Sequence, residues 1–378
     1  MTGPIAIVCG AGYVSGKEVM ALELAEGLRA SGQRVICITS LWGNGDFVRR
    51  LTSTAIPFRR MRLGFISATL SWDALRMTAD QLWRWPKLIF DYLIFLYKDK
   101  PSHVIHTNWH HLIMLWMFLD TRKDWFWLHE LVPPKPQYRK VFGWLGRRIN
   151  GFVTVSHATA ASLRSIGIPA EKIHVIYNGL ADPSGDTILF PPRVFGKNIG
   201  IVGQVGAWKG HEDLLEAFSV ISIRHSTAVL HIFGAASGDF QDWVRTRSEE
   251  IGVASRMIWH GFVEKRENIY LALDICVIPS RCDESFGLTA VEAGYFGLPV
   301  IVARRGGLPE VVEDGVTGFV VESENSTQLA KRLDELLNSE SLCKKMGAAA
   351  RQRARQYFTR ERLVSDFLRL LGVKNHVS

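Results

Sequence analysis

Short apolar bursts along the chain are each followed by a turn and then by a segment whose apolar positions recur every three or four residues. Residues 4–8 (PIAIV) form the first burst, and GAGYVSGK over 10–17 is a glycine-rich turn. Met20, Leu24 and Leu28 then fall on one helix face until Gly32 stops the run. A second burst at 35–39 completes strand, glycine loop, helix, strand, which opens a doubly wound α/β fold. The order restarts at 199–202, with GQVGAWKG over 203–210 and a helix expected from Glu212. Further strands are expected at 104–106, 126–128, 152–156, 230–233, 257–261, 275–279 and 300–303. Ser156 should begin a helix carrying Leu163 and Ile166 on its face, and residues 363–371 should form a last amphipathic helix. Residues 41–100 show no readable element beyond an Arg-rich patch at Arg59, Arg60 and Arg62.

Residues 181–196, with Asp182, Pro183, Gly185, Pro191 and Pro192, have linker composition. The sequence therefore divides into domains at 1–180 and 181–356, and 378 residues suffice for two cores. A composition of 47% hydrophobic and 22% charged residues is that of a soluble globular protein. Cys9, Cys37, Cys276, Cys282 and Cys343 form no C-x-x-C, so reduced thiols and a cytoplasmic setting are expected. Residues 5–9 are too short for a signal-peptide core, and no apolar run approaches a membrane span.

Charge changes the picture more. Residues 1–180 hold 22 Lys and Arg against 12 Asp and Glu, whereas the rest holds 23 against 25. Nine of the twelve Trp also lie in that basic half, which fits either attachment to an anionic membrane surface or a solvated rim over a Trp-rich core. No nucleic-acid-binding motif accompanies the charge.

The candidate chemistry concentrates in residues 284–310. Glu284 stands on an entering loop, and Glu292 falls about one turn into the helix opened by Gly287 and Leu288. A helix start offers unpaired N–H groups and partial positive charge, which suits a phosphate. Residues 300–303 read as a buried strand, with Gly306, Gly307, Pro309 and Glu310 forming a tight loop at its exit, the place where open parallel sheets bind ligands. Two Glu eight apart are more often a solvated face, but their apolar neighbours here place the carboxylates against buried surface. The 10–17 turn is neither a P-loop, since Glu18 follows Lys17, nor a dinucleotide fingerprint, since no acid follows the second strand. His103, His106, His110 and His111 lack the carboxylate or Cys company of a metal site.

The 284–310 stretch closely resembles the signature of the retaining glycosyltransferases of family 4: a Glu, seven residues, a second Glu, a G-x-P-V strand and a G-G-x-P-E loop. The resemblance implies the GT-B fold, two Rossmann-like doubly wound domains facing a deep cleft, with a C-terminal helix at about 357–378 crossing back to the first domain. It also implies that Glu292 binds the nucleotide ribose and Glu284 the donor sugar. Ser285, Phe286, Gly287 and Leu288 would line the sugar and diphosphate. Gly203 and Lys209 match the family's phosphate loop, but Gln204 stands where an Arg is expected, and Arg281 or a cation of the first domain could replace it. Gly16 and Lys17 would be donor-side and acceptor-side contacts. His129, at a strand exit before Pro133 and Pro134, would be the active-site histidine, with His106 as a second, acceptor-side candidate.

The expected function is transfer of a sugar, with retention, from a nucleotide-diphosphate donor to a saccharide or lipid-linked acceptor. Glu284, His129 and Lys209 would be catalytic. No D-x-D occurs, so no metal or other cofactor is expected. Two rivals remain at this stage. One is a GT-B protein that binds nucleotide sugar or a partner without transferring; the other is a dinucleotide oxidoreductase, disfavoured by the missing ribose acid.

Overall fold

A computed structural model describes residues 3–10, 14–42, 45–64, 72–183, 195–235 and 238–374. Three residues of the first glycine turn, 11–13, and most of the linker, 184–194, lie outside these. The chain forms two compact units, one of Met1–Ala181 with Arg360–Ser378 and one of Asp182–Thr359.

The first unit runs β1 (Ile5–Val8), α1 (Gly16–Ala30), β2 (Val35–Ser40), α2 (Asp46–Ser53), β3 (Phe58–Met61), α3 (Trp72–Trp83), α4 (Trp85–Asp99) and β4 (His103–His106). It continues through α5 (Trp109–Met114), β5 (Asp124–Leu128), α6 (Pro136–Gly146), β6 (Gly151–Thr154), α7 (His157–Ser165) and β7 (Ile173–Val175). All seven strands are parallel, in the order β3-β2-β1-β4-β5-β6-β7. Parallel strands are buried on both faces, which is why β1, β2, β5 and β6 read as apolar bursts without alternation. α1 starts in a capping box: the Ser15 backbone N–H and hydroxyl both donate to Glu18.

The described residues between 41 and 100 include α2, β3, α3 and α4, where no element was readable in the sequence. Leu88, Tyr92 and Phe95 of α4 fall at i, i+4 and i+7 and pack on Val104, Ile36 and Ala6. Burying such side chains contributes about 1.5–3 kcal/mol each. Arg59 and Arg60 of the Arg patch fall on β3 and Arg62 just beyond it, and Arg59 pairs with Asp99 at 2.8 Å.

The second unit runs β8 (Asn198–Val202), α8 (His211–Arg224), β9 (Val229–Phe233), α9 (Asp239–Glu250), β10 (Met257–Gly261), α10 (Arg266–Tyr270) and β11 (Ile275–Ile278). After them come α11 (Leu288–Tyr295), β12 (Val300–Ala303), α12 (Leu308–Val311), β13 (Gly318–Val321), α13 (Ser326–Leu337) and α14 (Glu340–Tyr357). Its parallel sheet has the order β10-β9-β8-β11-β12-β13. The last helix, α15 (Arg360–Leu371), packs on α1 in the first unit. Arg360 bonds Glu23 at 2.5 Å and Glu26 at 2.8 Å, and Gly27 leaves room for Val364.

In each sheet the strand order reverses beside the unit's first strand, between β1 and β4 and again between β8 and β11. Loops leaving such strands diverge to opposite faces and open a crevice at their carboxyl ends.

Candidate functional site

The crevice of the second unit is bounded by the loop after β8 and the loop after β11. The first carries Lys209 and the second Glu284, and they meet: Lys209 Nζ lies 2.6 Å from Glu284 Oε1. Ser280 Oγ donates to the same oxygen at 2.8 Å. Oε2 accepts no hydrogen bond among the described residues, so one face of the carboxylate stays available. Both side chains are about a quarter exposed or less, enough to meet a ligand while still oriented by the fold.

The two loops are tied together by backbone and charge. The Trp208 carbonyl accepts the N–H groups of Arg281, at 2.8 Å, and Cys282, at 3.3 Å. Arg281 then grips α8, with Nε and one terminal nitrogen on the Asp213 carboxylate at 2.8 and 2.7 Å and the other nitrogen on Glu212 at 2.6 Å. These bonds push the guanidinium pKa further up, the hydrogen bond to Asp213 contributing most. Arg281, one candidate to replace the cation missing at Gln204, is thus engaged by two acids, where Lys209 is engaged by one. Gln204 is exposed and neutral at the start of that loop, beside Gly203.

The G-G loop supports Glu284 from below. Gly306 has φ +52°, and a Cβ there would collide with the Glu284 carbonyl, so the position suits only glycine. Gly307 N–H donates to that carbonyl at 2.7 Å. Ser285 and Gly287 are half-buried, and Gly287 takes φ +112° to turn the chain into α11, whose first residue is Leu288. The Phe286 side chain points away into the core, edge-on to Phe358 at 5.5 Å, so only its backbone can face a ligand.

Glu292, on the second turn of α11, is held by two residues that sequence reasoning missed. The Tyr270 hydroxyl donates to Oε2 at 2.7 Å, and Arg266 Nε lies 2.9 Å from Oε1. Both come from α10, and the signal was present: Arg266 and Tyr270 are four apart, which puts them on one helix face. A carboxylate has about four acceptor sites, so two remain for a pair of hydroxyls.

In the first unit, Gly16 is the first residue of α1 and is exposed, with Lys17 beside it 3.7 Å from Glu18. His129 follows β5, its ring 4.3 Å from Trp127. Its buried Nε2 has no hydrogen-bond partner among the described residues. Burial, with a smaller contribution from Lys17, lowers its pKa to about 3, so the imidazole is neutral at physiological pH. Partial desolvation also raises the carboxyl of Glu130, an exposed residue, against the pull of Lys17. Lys17, in the first turn of α1, is thus near enough for its charge to act on His129 after β5.

His106 is corrected. It is fully buried, and its Nε2 lies 2.7 Å from Asp124 Oδ1, bracing β4 against β5. A polar residue ending an apolar strand suits such an internal pair as well as a ligand contact, and with no exposed surface it cannot touch an acceptor.

Comparison with known proteins follows the same division. Residues 196–353 match the family model described as glycosyl transferases group 1, and residues 14–182 match that described as glycosyltransferase family 4. An uncharacterized glycosyltransferase of Methanocaldococcus jannaschii is 32% identical over 200 residues, covering 49% of this chain and 50% of its own. D-inositol 3-phosphate glycosyltransferase of Corynebacterium glutamicum is 35% identical over 170 residues, 43% of this chain and 40% of its own. The chain thus spans about half the length, or less, of these curated relatives. Among solved structures, Anabaena HepE in complex with UDP and glucose superposes with a TM-score of 0.77 at 19% identity, over 98% of this chain and 99% of that one. A glycosyltransferase from Rickettsia africae gives 0.80 at 22% identity, over 98% of each. At these identities the likeness concerns the fold. Two doubly wound units, each matched by a model of the same enzyme class, and whole-chain superposition on glycosyltransferase structures lead to one conclusion: this chain belongs to the group 1, family 4 glycosyltransferases and has their GT-B fold.

Proposed function

We propose that the protein transfers a sugar, with retention of anomeric configuration, from a nucleoside-diphosphate sugar to a saccharide or lipid-linked acceptor. The observation that carries this reading is the convergence of Lys209, Glu284 and the start of α11 at the carboxyl ends of β8 and β11. Departure of a nucleoside diphosphate builds negative charge on its phosphate oxygens. Lys209 is the cation placed to meet that charge, and the first turn of α11 adds N–H groups and the positive end of the helix dipole. Glu284 uses its free oxygen to accept hydroxyls of the sugar. Glu292 accepts the two ribose hydroxyls while Tyr270 and Arg266 hold it in one orientation. His129 offers a neutral, half-exposed imidazole, suited to a hydrogen bond on the sugar or acceptor side next to Gly16 and Lys17.

UDP-sugars are the first donors to try, because HepE was solved with UDP and with UDP-glucose. A cell-surface polysaccharide or lipopolysaccharide precursor is the acceptor class we favour, and a lipopolysaccharide galactosyltransferase shares the fold. No divalent metal takes part in this reading. The test is release of nucleoside diphosphate from a donor panel with and without acceptor, followed by NMR of the product. Turnover lowered by about tenfold to a hundredfold in Glu284→Gln and an axial product from an axial donor support the proposal; no turnover with any donor refutes it.

Gln204 favours one rival, a protein that binds nucleotide sugar without transferring it. In that case the same panel gives donor binding without turnover.

A further inference from the structure

Soluble helices face water with polar residues, yet α3 and α4 turn apolar stripes outward. On α4 the buried face, Leu88, Tyr92 and Phe95, is matched on the opposite side by exposed Phe90, Leu93 and Tyr97. At 100° per residue these three fall within about 60° of arc. On α3, Trp72, Leu75, Leu82 and Trp83 fall on one exposed face, while Gln81 on the other side is buried and donates to the Arg62 carbonyl at 2.8 Å. Trp72 is 87%, Trp83 85%, Tyr97 79% and Phe90 62% exposed. Together the four aromatics leave on the order of 600 Å² of ring surface in water, the upper end of the largest apolar patches on soluble monomers, which are often functional.

The border of this surface is basic. Asp80, Asp91 and Asp99 are taken by Arg84, Lys87 and Arg59. Among the described residues Arg76, Lys98 and Lys100 have no acidic partner, and of the acids on these helices only Asp73 is left to oppose them. We propose that the outer face of α3 and α4 docks on an anionic phospholipid surface, with the Trp and Tyr rings at headgroup level and the cations on the phosphates. Aromatic rings with one wet edge, bordered by long cationic side chains, suit that boundary. A second copy on the same face would set unneutralised cations against each other, which argues against a dimer contact. Among the described residues no helix is long and apolar enough to cross a membrane, so the attachment is to the surface.

This inference is independent of the donor-site reading and is tested without it. The full chain is floated with phosphatidylcholine vesicles, alone and with phosphatidylglycerol added, alongside a Phe90→Ser, Tyr97→Ser double variant. A control variant changes the equally exposed Ile223 of α8 to Ser. We expect the parent and the control to float with the anionic vesicles. The double variant, melting at the parent's temperature, should partition about tenfold or more weakly. Three results would overturn the proposal: no flotation with either vesicle, undiminished flotation of the double variant, or light scattering that shows a parent dimer converted by the variant to monomer.

Discussion

Glu284→Gln separates the two halves of the donor site. In the wild type, Lys209 is tied to Glu284 at 2.6 Å, so a diphosphate must share a cation already engaged. The pair is a fifth to a quarter exposed, and water screens it, so its strength is about 1 kcal/mol, the upper end for such ion pairs. Gln keeps the shape and the bond to Ser280 while removing the charge. Lys209 is then freed, and bare nucleoside diphosphate should bind as well as before or up to about fivefold tighter. The sugar loses a charge-assisted acceptor, so turnover should fall by about tenfold to a hundredfold. Lys209→Met should do the opposite to the diphosphate and weaken it by a similar factor. Calorimetry with the diphosphate and steady-state kinetics with the donor read the two effects separately. If Glu284→Gln weakens the bare diphosphate as much as Lys209→Met does, the assignment of sugar to Glu284 and phosphate to Lys209 is wrong.

Four further outcomes follow from the same geometry. Tyr270→Phe removes a buried donor from Glu292 and should cost about 1.5–3 kcal/mol in urea unfolding, with weaker nucleotide binding; unchanged binding would mean that Glu292 does not need that support. Gly306→Ala should lower the melting temperature and abolish donor binding, because the new methyl must displace the Glu284 backbone; a variant that binds normally would refute the support role of that loop. His129 is depressed to about 3 in the fold and ordinary when unfolded, so the unfolded chain binds more protons between about pH 3 and 6.5. Its contribution is therefore complete above about 6.5 and lost as pH falls through that window, and His129→Gln should flatten the acid limb of a stability profile. Activity should persist in EDTA; complete loss restored by manganese would contradict the metal-free reading.

The parallel strands were legible because burial on both faces leaves runs of Val, Ile, Phe and Trp with glycine at the exits, as at residues 199–203. The carboxylates were legible because Glu284, Gly287, Glu292 and Gly306 must keep fixed spacings to build one turn, helix, strand and loop. Their fixtures were less so. Arg266 and Tyr270 reach Glu292 from a helix more than twenty residues upstream, a contact that no local pattern encodes beyond their spacing of four. His106 misled because strand ends carry internal hydrogen bonds as readily as ligand contacts. Residues 41–100 resisted for a physical reason too: α3 and α4 are apolar on faces that point outward, so the usual alternation of buried and wet positions is missing there.

The most direct test of the central claim is calorimetric titration of the full chain with UDP, GDP, ADP and TDP in EDTA, beside Glu292→Ala. The account predicts that one nucleotide binds selectively and that the variant weakens it by about tenfold or more, since two hydroxyl bonds to a charged acceptor are lost. Absence of binding by all four, or binding that Glu292→Ala leaves intact, would contradict a nucleotide-sugar site in the second unit.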